Sequence, residues 1–587
     1  MSRHHDDLPP IDIDQFRAET EPELTAMGTS RRSILAAGAA LVAAGSTGLP
    51  ADRASAVPRV PAGDPARLDW LVGDHHVHTQ YSHDAKYTIR QQLDHAQEYG
   101  VDWLAFTEHS NFAHADKGLA SSLEEIRAQR ARRSMLIFQG IEWYIPAAEH
   151  ATVLVAPGPE AANVLRQFEL AWDGKLNGWE RANPGSPEAR EWEAKAAAAI
   201  AWLGDQRRRG IVDDALILAN HPMRLGIDSP HELRTWRDAD PAVMVGMEGA
   251  PGSQGSAIST YARPTDQRGE YTNAPRPDSH PAYAADMYRP YGGFDWMTAT
   301  VGGMWDAMLA EGKPFWITSN SDNHLTVRDT YRIGDYPAGE PYASLPNEFD
   351  RWAVLGKRPD PVDTGVPQNG SDYWAGQFSR THTGVTARSY TGVMDALRRG
   401  RVWVDHGHLL AGLDVRVRAL QPGAGRGRGK GNGRGWGNAS GGPGTTLGGR
   451  LRARRGQDVE VSVNVTTTDS PNFAGIVPGL AHVDVISGPI TGKVSDRDTL
   501  RARQTRVVRQ IDTTGRRGTF TVSHVFTDVQ ESFYLRLRGS DGNRNGPGYY
   551  GAPVDPAGPL RHGGDLGVAD PWTDTWFYAN PVFVDVT

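Results

Sequence analysis

Five short runs rich in aliphatic and aromatic residues constrain the fold most: 101–107 (VDWLAFT), 136–142 (LIFQGIE), 215–220 (ALILAN), 243–248 (VMVGME) and 315–320 (FWITSN). Each is too short for a buried helix and has the composition of a buried strand. Between them lie helical patterns. Residues 88–99 place Ile89, Leu93 and Ala96 on one face, and 187–209 and 391–399 read as further helices. Strands alternating with helices over about 68–408 imply an α/β fold built on a parallel sheet or barrel.

The pattern changes after residue 408. Residues 421–449 (QPGAGRGRGKGNGRGWGNASGGPGTTLGG) are glycine-rich and carry too little side chain to offset the entropy of ordering, so they read as a flexible insertion or linker. Beyond it, Val459, Val461, Val463 and Val465 alternate with polar residues, as do Phe533, Leu535 and Leu537. Period-two patterning broken by turns predicts a C-terminal all-β sandwich over 450–587.

The first 56 residues read as an address rather than a fold. A polar stretch leads into Thr29-Ser30-Arg31-Arg32-Ser33-Ile34-Leu35, then a short Ala/Gly-rich apolar run, then Ala54-Ser55-Ala56. A twin-arginine pair, a short h-region and an A-x-A site together predict a Tat signal peptide, with the Tat export machinery as partner and a secreted or cell-envelope destination. No later segment holds about 18 consecutive apolar residues, so no transmembrane span is expected in the mature chain. The Tat route carries folded chains, which suits a protein loaded with metal before export.

Charge and cysteine content narrow the chemistry. With 62 basic and 70 acidic residues the net charge is −8, which argues against a dedicated nucleic-acid binder and favours a small-molecule substrate. There is no cysteine, so any metal site must be built from His, Asp and Glu. These residues gather where the strand-like runs end. Asp74-His75-His76-Val77-His78 follows Trp70-Leu71-Val72, and an H-x-H on an extended segment turns both rings to one side. Glu108-His109 ends the first run, Glu142 ends the second, His150 precedes ATVLVA, Asn220-His221-Pro222 ends the third, and Asp322-Asn323-His324 follows the last. In a β/α barrel, strand ends and the loops after them share one rim, so residues distant in sequence can share a pocket.

This series resembles the PHP (polymerase and histidinol phosphatase) metallohydrolase superfamily over about residues 70–408. The signal peptide, the ALRRGRVWV segment (396–404) and the closing YANPVFV (578–584) resemble its exported, carbaryl-hydrolase-like branch. The resemblance implies a distorted seven-stranded β/α barrel holding two to three divalent ions (Zn, Mn or Fe). Carried over residue by residue, it implies that His76, His78 and Asp322 hold one ion and that Glu142 bridges to a second held by His150 and His221. Asp84, His109 and His324 would hold a third. The run Ser82-His83-Asp84 offers two residues for that third site, and Asp84 is preferred. The family usually has Asp where this chain has Glu108.

The implied activity is hydrolysis of a small-molecule ester, most directly a phosphoester, because a divalent ion lowers the pKa of its water from 15.7 towards about 7 and paired ions can clamp an in-line displacement. Glu142 and Asp322 are the expected catalytic carboxylates. Arg224, following His-Pro-Met, could fork onto a substrate phosphate or carboxylate. Trp143 and Tyr144 adjoin Glu142 and are expected either to wall the pocket or to pack in the core. Two other readings compete: hydrolysis of a carboxylic or carbamate ester or amide on the same ions, and a non-catalytic surface- or carbohydrate-binding protein. The H-E-x-x-H, G-x-S-x-G and P-loop motifs do not occur.

Overall fold

The structure is a computed structural model that describes residues 68–251, 271, 275–288, 293–326, 329–334, 336, 338–368, 372–421, 444–473, 475–542 and 575–587. The expected signal peptide and most of the glycine-rich stretch lie outside the described residues.

The expected strands form, and in sequence order. β1 (Asp69–Val77), β2 (Trp103–His109) and β3 (Leu136–Tyr144) run parallel. β4 (His150–Val155) is antiparallel to β3 and to β5 (Ala215–Ala219), and β6 (Met244–Ala250) and β7 (Trp316–Ser319) continue parallel to β5. Both faces of these strands are covered, which is why they read as continuous apolar runs rather than alternating ones. Backbone approach is tight where β3 meets β4: a Cβ on Gly140 would lie 2.5 Å from the Val153 carbonyl oxygen, so glycine is needed two residues before Glu142.

Helices pack against this sheet through the apolar faces legible in the sequence. α1 (Ile89–Glu98) starts at a Thr88/Gln91 capping box and buries Ile89, Leu93 and Ala96. α2 (Leu119–Arg130), α3 (Ala161–Trp172) and α4 (Pro187–Arg208) follow, and α5 (Pro230–Ala239) opens with a Ser229/Glu232 capping box and Pro230 in its first turn. α6 (Met304–Leu309) lies ahead of β7. A β8 (Asp329–Arg332)–β9 (Val362–Gln368) hairpin lies in the segment after His324.

β10 (Ser379–Val385) then pairs antiparallel with β1, and β11 (Val402–His406) with β10, across the helix α7 (Tyr390–Arg398). From there one sheet runs into a C-terminal strand-rich region. β12 (Leu410–Ala419) begins a second layer, followed by β13 (Arg450–Ala453), β14 (Gln457–Thr467), β15 (His482–Pro489), β16 (Arg506–Asp512), β17 (Thr519–Val529), β18 (Phe533–Ser540) and β19 (Trp576–Val586). The large sheet ends in the order β11-β19-β18-β15-β16, and β12-β14-β17 form a separate three-stranded sheet. Val459, Val461, Val463 and Val465 fill the space between layers with Val415, Val483, Leu535 and Leu537. The second layer therefore starts at Leu410, ahead of the glycine-rich stretch. That stretch leaves after β12 and returns at Thr445, whose N–H and C=O pair with Val417, so its ends are neighbours within the β region.

The two regions are stitched by buried polar contacts. The outer edge of β7 is met by side chains: Ser319 N–H donates to Thr381 Oγ1 (2.7 Å), and Ile317 N–H donates to Asn580 Oδ1 (2.9 Å). Beyond β7, Asn323 bridges to Val77, returning the chain to β1. Arg536 on β18 forks onto Asp306 of α6 (2.8 and 2.7 Å), with both side chains fully buried, and Tyr534 donates to the same carboxylate (3.0 Å). Arg536→Ala would leave that carboxylate buried and unneutralised. It is expected to cost about 3–5 kcal/mol in chemical denaturation; a loss below about 1 kcal/mol would mean that the pair contributes no docking energy.

Candidate metal centre

The end of β1 sets the geometry. Period two sends His76 and His78 inward together, and sends His75 the other way, where its Nε2 lies 2.8 Å from Thr318 Oγ1 and its Nδ1 3.3 Å from Thr152 Oγ1. Burial pushes His75 down to about 3, so it stays a neutral interior plug. Asp74 accepts from His76 N–H (3.0 Å) and Ser321 N–H (2.8 Å), tying β1 to the segment that carries Asp322.

Glu142 is the centre of the cluster. Its Oε1 lies 3.1 Å from His76 Nε2, 3.1 Å from His150 Nδ1 and 3.3 Å from His221 Nε2. Its Oε2 lies 3.2 Å from His78 Nε2 and 3.0 Å from His109 Nδ1. Asp322 Oδ1 lies 3.1 Å from His76 Nε2 and 3.4 Å from His78 Nε2. On the far side, His109 Nε2 faces His324 Nε2 (3.4 Å) and Asp84 Oδ2 (3.2 Å), and His83 lies 3.6 Å from that same Asp84 oxygen. The nine proposed ligands thus form one continuous group, buried except for the half-buried Asp84, with both His83 and Asp84 at its outer end. Strand register explains much of this. His109 sits opposite Glu142 across β2–β3, and Tyr144 opposite His150 across β3–β4.

Several supporting residues were not assigned from sequence. Glu248, at the end of the fourth apolar run, accepts from His76 Nδ1 (2.7 Å) and from His221 N–H (2.7 Å). Ser82 Oγ lies 2.9 Å from His78 Nδ1, and Asn220 Nδ2 donates to Glu142 Oε1 (2.9 Å). Glu108 accepts from Thr79 N–H (3.0 Å) and Ser82 Oγ (2.7 Å), so the longer carboxylate braces the turn between His78 and Asp84. Two residues of the cluster, His221 (φ 28°) and Asp322 (φ 48°), hold left-handed backbone, a strain of about 1–3 kcal/mol each. It is held in place by the Glu248 contact and by Asp322 N–H donating to the His76 carbonyl (3.0 Å).

Three other expected residues have mixed fates. Arg224 is buried rather than held out at a rim, and its Nη2 donates to Glu149 Oε2 (2.9 Å). Trp143 is core, stacked edge-on against Phe168, whereas the Tyr144 ring stands 5.6 Å from His109 and 4.3 Å from His150 and walls the cluster. The segment after His324 approaches the His83 side: Trp352 meets the His83 ring at 5.9 Å, and Arg358 N–H donates to the Gln80 carbonyl (2.7 Å).

The donor set fits divalent metal ions. His76 and His78 each engage Nδ1 with an outer partner and turn Nε2 inward, where the two Nε2 atoms stand only 3.0 Å apart. Nitrogen facing nitrogen is what two ligands converging on a shared cation present, and the outer partners fix the rings as second contacts do in metal sites. Groups such as His76/His78/Glu142, His109/Glu142/His150 and His78/His109/His324 keep their donor atoms within 4.8 Å of one another. Imidazole with carboxylate suits Zn, Mn or Fe alike.

Electrostatics points the same way. Burial opposes charge on Glu142 and Asp322, but the surrounding imidazoles win and hold both well below the usual carboxylate range. Burial likewise pulls His78 down, yet Asp322 and Glu142 lift it to about 10, and His76 is raised well above its ordinary value by Asp322, Glu142 and Glu248. Without ions, therefore, protons supply the positive charge. The His78 contribution to stability is full below about 6.5 and is lost as pH rises towards about 10, while the Glu142 contribution is present above about 4.5 and lost as pH falls below it. Ions must displace those protons. Calorimetry in buffers of different ionisation enthalpy is expected to register release of about one proton or more per chain on metal binding near neutral pH, and no release would contradict this charge balance. Glu248→Ala, which frees His76 Nδ1, is expected to weaken metal affinity roughly 10- to 100-fold in a chelator competition; unchanged affinity would remove Glu248 from the centre.

Residues 74–228 match the PHP domain, a stretch that includes His76, His78, Asp84, His109, Glu142, His150 and His221 and stops short of Asp322 and His324. Among solved structures, the chain is similar to a two-domain protein from Bacteroides vulgatus containing a predicted PHP-like metal-dependent phosphoesterase. That similarity is at 13% identity and a TM-score of 0.30, covering 86% of this chain and 96% of the other. No curated protein matches the chain.

Proposed function

We propose that this chain is an exported metal-dependent hydrolase acting on a small phosphoester. The observation that carries the reading is the division of Glu142: one oxygen meets His76, His150 and His221, and the other meets His78 and His109. A carboxylate shared in this way suits two or more adjacent ions, the arrangement best matched to phosphoryl chemistry. Divalent ions held there would lower the pKa of a water and polarise the ester. His76, His78 and Asp322 would hold one ion, His150 and His221 another with Glu142 between them, and Asp84, His109 and His324 a third. Tyr144 gives the pocket an aromatic wall, and Glu149, anchored by Arg224, lies 3.9 Å from His221 Nδ1.

Zn, Mn and Fe are the candidate ions, and the Arg31-Arg32 leader supports Tat export to the envelope or beyond. Retained export of an Arg31→Lys, Arg32→Lys chain would argue against that route. Purified, metal-loaded protein is expected to turn over p-nitrophenyl phosphate or bis-p-nitrophenyl phosphate in preference to naphthyl carbamate. A chelator should abolish turnover, and Glu142→Ala should lower kcat/KM by about 1000-fold, roughly 4 kcal/mol. Preferential carbamate hydrolysis would favour acyl chemistry, and full activity in Glu142→Ala would overturn the role of the centre.

A further inference from the structure

We propose that His231, His280 and Asp498 form a second metal site, distinct from the Glu142 cluster, which takes one zinc-class divalent ion and clamps the C-terminal strand-rich region to the α/β region. His231 stands in the first turn of α5, His280 in the segment after Arg276, and Asp498 in the excursion between β15 and β16. Their donor atoms lie within 4.8 Å of one another. Both rings point a nitrogen at the same Asp498 Oδ1: His231 Nδ1 at 2.6 Å and His280 Nε2 at 3.4 Å, with the ring planes 62° apart.

The remaining contacts are those that a metal-bound pair of imidazoles requires. His231 Nε2 faces Glu193 Oε1 of α4 at 3.4 Å, so with an ion on Nδ1 the Nε2–H donates to a carboxylate, the usual orienting contact of a ligating histidine. His280 is held by its own N–H, which donates to the Gly226 carbonyl (2.8 Å). An ion on His280 Nε2 moves the ring proton to Nδ1, which costs the long contact from Ala282 N–H (3.4 Å).

The third ligand is preset by the fold. Arg234, fully buried and paired with Glu311 (2.6 Å), donates to the carbonyls of Arg497 (2.7 Å) and Thr499 (2.9 Å), fixing the backbone on both sides of Asp498. Zinc bonds of about 2.0 Å in tetrahedral geometry separate two ligand atoms by roughly 3.3 Å. The His280–Asp498 spacing already meets that value. The 2.6 Å contact to His231 must open, and Asp498, whose side chain is 43% exposed, has room to do so. Water would complete the coordination. The ion would replace the proton shared by His231 and Asp498, and it would join three separate segments of the chain.

The full-length protein, equilibrated with micromolar free zinc and desalted, is expected to hold one zinc fewer as Asp498→Ala or His280→Gln than as wild type by elemental analysis. In the Glu142→Ala background, the zinc-induced rise in unfolding temperature should be smaller when Asp498→Ala is added. Folding of each variant is checked by its metal-free unfolding temperature, and Asp498, at the surface, is the substitution least able to disturb it. The full zinc count in either variant, or an unchanged zinc-induced shift in the double variant, would overturn the site. Neither outcome bears on the phosphoester reading, which rests on the other cluster.

Discussion

A buried carboxylate surrounded by imidazoles governs the α/β region. Removing the Glu142 charge from water costs several kcal/mol unless positive charge is supplied at close range, and five histidines approach its two oxygens within 3.3 Å. Those histidines come from four different places in the chain, so the centre exists only when β1, β2, β4, the segment after β5 and their registers are all in place. Protons or divalent cations must supply the charge, and the competition between them ties metal loading to pH.

The strand-rich region is not an appendage to this centre. β10 pairs with β1, which carries His76, and Asn580 of β19 gives the backbone of β7 the partners that a neighbouring strand would have supplied. The segment leaving β7 carries Asp322 and His324. Arg536 on Asp306 anchors the same contact from behind. The position of Asp322 and His324 thus depends on the docking of strands hundreds of residues later, which gives the closing YANPVFV stretch a structural role.

Much of this was legible in the sequence, and for physical reasons. Strands buried on both faces must be apolar throughout, so VDWLAFT, LIFQGIE, ALILAN and FWITSN became β2, β3, β5 and β7 with shifts of a few residues, and the polar residues that end them had to gather at one rim. The alternating valines at 459–465 showed their layer by period two. What was hidden depended on tertiary register. Glu248 closes the fourth run in the same way as Glu142 closes the second, but nothing local says that it holds His76 Nδ1. Arg224 follows a histidine at a strand end and reads as substrate-facing, yet its partner Glu149 comes from a turn that no periodicity marks. The start of the second layer at Leu410 was masked by the glycine-rich stretch, whose ends meet only because Val417 and Thr445 pair.

The central claim, that cations gather on both sides of Glu142, is tested most directly by anomalous diffraction from crystals of the metal-loaded protein. The account predicts at least two peaks, one beside each oxygen of Glu142, with ring nitrogens of His76 and His78 among the nearest atoms. A single peak touching neither oxygen, or loaded crystals with no anomalous signal in this cluster, would contradict it.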